Sequence, residues 1–133
     1  MTSAQDVASK LSRRLVIWGG GSVVAGAAAA LVGPTPAVRA FGVQSAGWGA
    51  IDLAIAGIGA ARSAPVVAST LRKTLWINTG LDVVYMALGA HVMYHRPSFG
   101  GRISPDQAVG HGAAVVVQGG ALLVLDSVHA RQI

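Results

Sequence analysis

The sequence contains no cysteine. That excludes disulfides, Cys-ligated zinc and iron–sulfur clusters, and it leaves the redox compartment unread. Charge is scarce: 11% of residues are Asp, Glu, Lys or Arg, against about 25% in a soluble domain. Aromatics make up only 5%, too few for a large soluble aromatic core. Acids are the scarcer sign, five against ten Lys and Arg, for a net charge of +5. A basic excess suits nucleic acid or an anionic membrane. Here the bases sit in short breaks between apolar runs and no nucleic-acid recognition motif accompanies them. The expected partner is therefore the lipid bilayer and not nucleic acid. No H-x-x-x-H or H-E-x-x-H spacing offers a zinc site, and no glycine stretch ends in the Gly-Lys-Ser/Thr of a phosphate loop. Nor is there a nucleophile elbow or triad spacing, so no catalytic residue, metal or cofactor is expected, and no enzyme.

What is present is apolar. Of 133 residues, 53% are hydrophobic, mean hydropathy is +0.57, and there are 18 glycines, which suit close helix contact in lipid. Four spans are expected in one transmembrane domain covering residues 1–133, at about 15–32, 41–61, 75–94 and 108–128. Residues 1–14 read either as an interfacial basic helix, with Thr2 and Gln5 as a capping box, or as a basic tail. Gly33-Pro34-Thr35-Pro36 ends the first span. Ser12-Arg13-Arg14 before it and Val38-Arg39-Ala40 after it have the outline of a cleavable export signal, but three further apolar spans favour an uncleaved helix. Arg62–Lys73 is a connector whose later part, Val66–Leu71, also reads as the start of the third helix. His95-Arg96-Pro97 closes that helix. Ser104-Pro105-Asp106-Gln107 reads as a helix start, with Ser as N-cap, Pro at the first helical position and Gln closing the box.

The fold class expected is an all-α membrane protein, an antiparallel four-transmembrane-helix bundle with short links joining neighbours. Seven bases (Lys10, Arg13, Arg14, Arg62, Arg72, Lys73, Arg131) belong to one side and three (Arg39, Arg96, Arg102) to the other. That asymmetry predicts both termini in the cytoplasm.

Three spans carry a polar stripe. At about 100° per residue, Gln44, Trp48 and Asp52 share one arc of the second span. Asn78, Asp82 and Tyr85 share one in the third, and His111, Gln118 and Asp126 one in the fourth. Polar stripes avoid lipid and should converge inside. Depth puts Asp52, Asp82 and Gln118 in one middle layer, with Gln44 and His111 toward the outer face and Asn78 and Asp126 toward the cytoplasm. No Lys or Arg lies within any span. Asp52 and Asp82 are thus expected to be protonated, held by donors such as Asn78, Gln118, Trp48 and Tyr85, or open to water. The first span is read as uncharged, with Ser22, Gly26 and Ala30 making a small-residue line, and the second as carrying a small face of Gly42, Ala46, Ala50 and Ala54. A haem reading rests on His111 with His91 at similar depth, but His91 lies roughly 140° from Asp82 around its helix.

GVQSAGWGAID (42–52), LWINTGLDVVY (75–85) and GHG…QGG…LD (110–126) together resemble the motifs of an uncharacterised family of small bacterial four-span membrane proteins. The resemblance covers most of residues 15–130 and implies a four-span protein of the inner membrane. It brings no activity. Two function classes follow from the residues. One is a non-enzymatic structural or accessory subunit, in a homo-oligomer or larger membrane complex, whose polar interior fixes helix packing. The alternative is a proton-, cation- or small-solute-conducting transporter or channel that uses Asp52 and Asp82.

Overall fold

The computed structural model describes residues 3–62 and 64–133 and is all-helical: α1 (Ala4–Val32), α2 (Pro36–Ala61), α3 (Ala68–His95) and α4 (Pro105–Ala130). Local chemistry sets most of the boundaries. Ser104 accepts from the Gln107 N–H at 3.2 Å, and the Gln107 side chain accepts from the Ser104 N–H at 2.8 Å. With Pro105 at the first helical position, this is the capping box that the spacing predicts. Thr35 caps α2 by accepting from the Val38 N–H at 3.2 Å, and Pro36 follows it. Arg96 ends α3 in the left-handed region, at φ 49°, just before Pro97.

Two boundaries differ from expectation. Residues 4–14 are neither a separate interfacial helix nor a tail: they are the first turns of α1, and Val7 within them is fully buried. The expected N-cap Thr2 lies outside the described residues, and the cap observed is Ser3, which accepts from the Asp6 N–H at 3.1 Å. α2 starts at Pro36, five residues before the expected span, because Thr35 and Pro36 supply a complete helix start.

α1 and α2 pack as an antiparallel hairpin, α3 and α4 as a second, and α2 lies against α4. α4 is central, packing on α3 and α2 and touching α1 lightly. Consecutive α2 and α3 make no close backbone approach. The short link 62–67 therefore does not join neighbours, contrary to the simple up-down reading.

Small residues set the hairpin spacing. From Leu15 onward in α1 (Leu15, Gly19, Ser22, Gly26) and from Gly42 onward in α2 (Gly42, Ser45, Gly49, Asp52, Ala56), the buried positions advance by alternating steps of three and four. A Cβ on Gly26 would stand 2.7 Å from the Gly42 carbonyl oxygen, and one on Gly89 would stand 2.7 Å from that of Gly112. The backbones touch, as small-xxx-small interfaces allow. The small face of α2 is not the one expected: Ala50 and Ala54 are exposed, and Gly49 takes their place at the contact with α1.

Burial is inverted relative to a soluble bundle. Asp52, Asp82 and Gln118 are each 2% exposed, while Ile17 is 68%, Leu31 82% and Ile58 66% exposed. α1 and α4 are long and apolar enough to cross a membrane, with 18-residue windows of mean hydropathy 1.9 and 1.7. α2 and α3, also expected as spans, do not reach that measure.

Candidate functional site

The interior holds a file of polar side chains along the bundle. At the end that carries the links 33–35 and 96–104, His111 of α4 meets Gln44 of α2 at 3.0 Å. With Gln44 Oε1 accepting, the His111 hydrogen is on Nδ1.

The middle belongs to Gln118. It accepts from the Trp18 indole N–H at 2.9 Å and donates to Ser22 Oγ at 3.1 Å. An indole N–H can only donate, so the amide orientation is fixed. Beside this pair, a cavity of about 300 Å³ opens among α1, α2 and α4, lined by Trp18, Ser22, Phe41, Ser45, Val117 and Gln118 among others. Ser45 Oγ is buried there without a hydrogen-bond partner.

α2, α3 and α4 also carry three inward carboxyls, Asp52, Asp82 and Asp126. Asp52 lies against Gly19 of α1, and the Asp82 backbone lies against Gly119 of α4. Asp52 and Asp82 are each 2% exposed, and Asp126 is half-buried. Helical side chains lean toward their own N-terminus. In an antiparallel pair, Asp82 on α3 and Asp126 on α4 therefore lean toward each other, although their backbones are at different depths. One oxygen of Asp52 and one of Asp82 are buried without a partner. The Trp48 and Tyr85 rings meet edge to face with centroids 5.2 Å apart, about one turn away, where α2 and α3 leave a backbone gap.

At the end that carries both termini, His129 is fully buried between Leu125 and Arg14. Its Nδ1 is 2.6 Å from the Leu125 carbonyl oxygen and its other ring nitrogen is 3.0 Å from the Arg14 guanidinium. A carbonyl only accepts and a guanidinium only donates, so the ring carries its hydrogen on Nδ1.

Several sequence-based expectations need correcting. Gln118, Trp48 and Tyr85 are not donors to the central aspartates: Gln118 serves Trp18 and Ser22, and the two aromatic rings serve each other. Asn78 is half-buried on the same arc as Asp82 and is not part of these bonds. The first span is not without a polar stripe: Arg14, Trp18 and Ser22, spaced four apart, all bond into α4. That spacing is legible in the sequence, but Ser22 also falls in line with Gly26 and Ala30, which masks it. His91 is exposed with its ring 4.3 Å from that of His95, whereas His111 is bonded to Gln44. The two do not form a haem-ligating pair. Among the described residues no group of three or more His, Asp or Glu is arranged to hold a metal ion.

A family model described as "Family of unknown function (DUF6992)" matches residues 14–127. No curated protein and no solved structure matches the chain.

Proposed function

We propose that this chain, which belongs to the family of unknown function DUF6992, is a multi-pass protein of the bacterial inner membrane. All four helices cross, both termini are cytoplasmic, and the chain works without catalysis as a structural or accessory subunit. One observation carries the reading: every helix exposes large apolar side chains while Asp52, Asp82, Gln118 and His129 are buried among small residues. Ile17 and Leu31 on α1, Ile51 and Ile58 on α2, Ile77 and Leu88 on α3 and Val117 and Val124 on α4 all face outward. In water such a surface would be an aggregation liability; in lipid it is the expected exterior. The hydropathy of α2 and α3 is lowered by Gln44, Asp52, Asn78 and Asp82, side chains that lipid need not meet. Arg72 reaches toward the Ile133 carbonyl oxygen at 3.5 Å, so the richly basic end also holds the C-terminus.

The lack of cysteine makes the test direct. Ser98→Cys should react with a membrane-impermeant maleimide in intact cells, and Gln132→Cys only after the membrane is opened. Gentle detergent extraction of the same membranes should recover a larger complex. Labelling of both positions from outside, or a lone monomer with its helices intact, would overturn the topology or the accessory role respectively.

A second reading, a proton, cation or small-solute path, is favoured by the unpartnered oxygens of Asp52 and Asp82. It requires that Asp82→Asn stop a flux that the unaltered chain carries across vesicles.

A further inference from the structure

α1 and α4 touch only lightly, and each packs on α2. The cavity of about 300 Å³ beside Trp18 is lined by all three helices. Ile17, Gly21 and Ala25 of α1, spaced four apart and all exposed, form its outer edge. The cavity is therefore open at the outer surface of the bundle, while Ser45 of α2, 5% exposed, is buried at its wall.

The polar side chains there are unequally engaged. Trp18 is bonded to Gln118, and Gln118 to Ser22. Ser22 accepts in that bond, so its own hydrogen is what it has left to give. Ser45 Oγ has no partner. Leaving a buried hydroxyl unpaired is unfavourable, so a ligand that brings a partner is favoured at this wall. Both hydroxyls have a hydrogen to donate, which selects a ligand whose polar atom is an acceptor. Among the described residues no Asp, Glu, Lys or Arg lines the cavity, so that ligand is neutral. An apolar cavity of about 150 Å³ takes a benzene ring, so this one takes a body of about two fused rings.

The depth of the cavity narrows the source. It lies along Ile17–Gly26, midway in α1 (Ala4–Val32). Phospholipid oxygens belong to the interfacial regions outside a hydrocarbon core about 30 Å thick, and an acyl chain brings no acceptor to mid-depth. A buried water needs about two to four polar partners, and here Trp18 and Gln118 are already engaged.

We infer that this cavity binds a neutral, lipid-soluble carbonyl compound with a ring-sized apolar body, of the quinone class, which enters from the hydrocarbon between α1 and α4. Ser45 donates to the carbonyl, with Ser22 as the second donor, and Ile17, Phe41 and Val117 cover the body. A serine hydroxyl changes its staggered position by rotation about one bond, which lets Ser45 turn to the ligand. The inference rests on the membrane reading for the route of entry, and binding in detergent tests it apart from topology.

Thermal unfolding of the full chain in dodecyl maltoside is followed by circular dichroism with methylnaphthoquinone and with methylnaphthalene. The two probes share a shape and differ in the carbonyls, and without cysteine the chain has no thiol for the quinone to add to. A ligand that binds only the folded state raises the midpoint. The quinone should raise it by several degrees and the hydrocarbon by clearly less. Gly21→Phe should cancel the shift: Gly21 lines the cavity and a Cβ there meets nothing within 4 Å, so the ring fills the space without a backbone clash. Ser45→Ala should weaken quinone binding about three- to tenfold. It should not lower the midpoint of the free chain, because the hydroxyl it removes is unpaired. Should Gly21→Phe not fold, Ala25→Phe on the same exposed edge takes its place. Equal shifts from the two probes would show a slot for hydrocarbon alone and overturn the inference. A quinone shift that survives the cavity-filling variants, or no shift at all, overturns it too. Failure of the maleimide pattern alone leaves the binding result standing, so the two ideas fail separately.

Discussion

Gln118 ties α4 to α1, two helices whose backbones approach each other only slightly. Interhelical hydrogen bonds in membranes average about 0.6 kcal/mol and reach about 1.7, so the pair to Trp18 and Ser22 is a modest gain when made. Losing it is worse, because a buried donor left unpaired costs about 1–3 kcal/mol. Gln118→Leu should therefore destabilise the chain by about 1–3 kcal/mol, read from thermal unfolding in detergent; an unchanged midpoint would mean that the indole finds another partner. At this scale the sequence was half legible. Helical phase put Gln44, Asp52, Asp82, His111, Gln118 and Asp126 on inward arcs, because 100° per residue is a property of the helix alone. Which of them pair was not legible. Pairing depends on side-chain lean and on which helices are neighbours, so Gln118 turns to α1 and not to the aspartates.

Among the elements, the α1/α2 hairpin is held by backbone contact and not by large side chains. A Cβ on Gly42 would collide with the backbone of Gly26 and Ala30, whereas one on Gly47 would meet nothing within 4 Å. Gly42→Val should cost about 1–3 kcal/mol or more through overpacking, and Gly47→Ala should stay within about 0.5 kcal/mol of the parent. Equal unfolding midpoints for the two variants would refute the contact. Element ends were legible where capping chemistry is local, as at Ser104–Gln107. The neighbour relation of α2 and α3 was not. Six extended residues reach about 20 Å, and packed helices stand only about 8–10 Å apart. A link of the length of 62–67 thus permits a diagonal connection as readily as an adjacent one.

For the whole molecule, composition already pointed to lipid, and the exposed apolar side chains on all four helices agree with that reading. The conducting alternative is also a property of the whole. The polar file runs from Gln44 and His111 to His129 and Arg14, but the last two are bonded to each other and close it at one end. If the chain conducts, vesicles containing it should pass protons or cations down a gradient, and Asp82→Asn should abolish the flux. Unaltered vesicles that stay tight under a range of gradients would leave the accessory reading in place.

The central position of α4 also has a consequence for synthesis. α4 follows the other three helices in the chain, yet it supplies the partners of Arg14, Trp18, Ser22 and Gln44, up to 115 residues upstream. While the ribosome is still making it, those side chains wait unpaired. A stop codon in the final helix would leave three helices carrying orphaned polar groups, a product that a membrane quality-control protease could recognise. Folding of this chain is thus completed by its last helix.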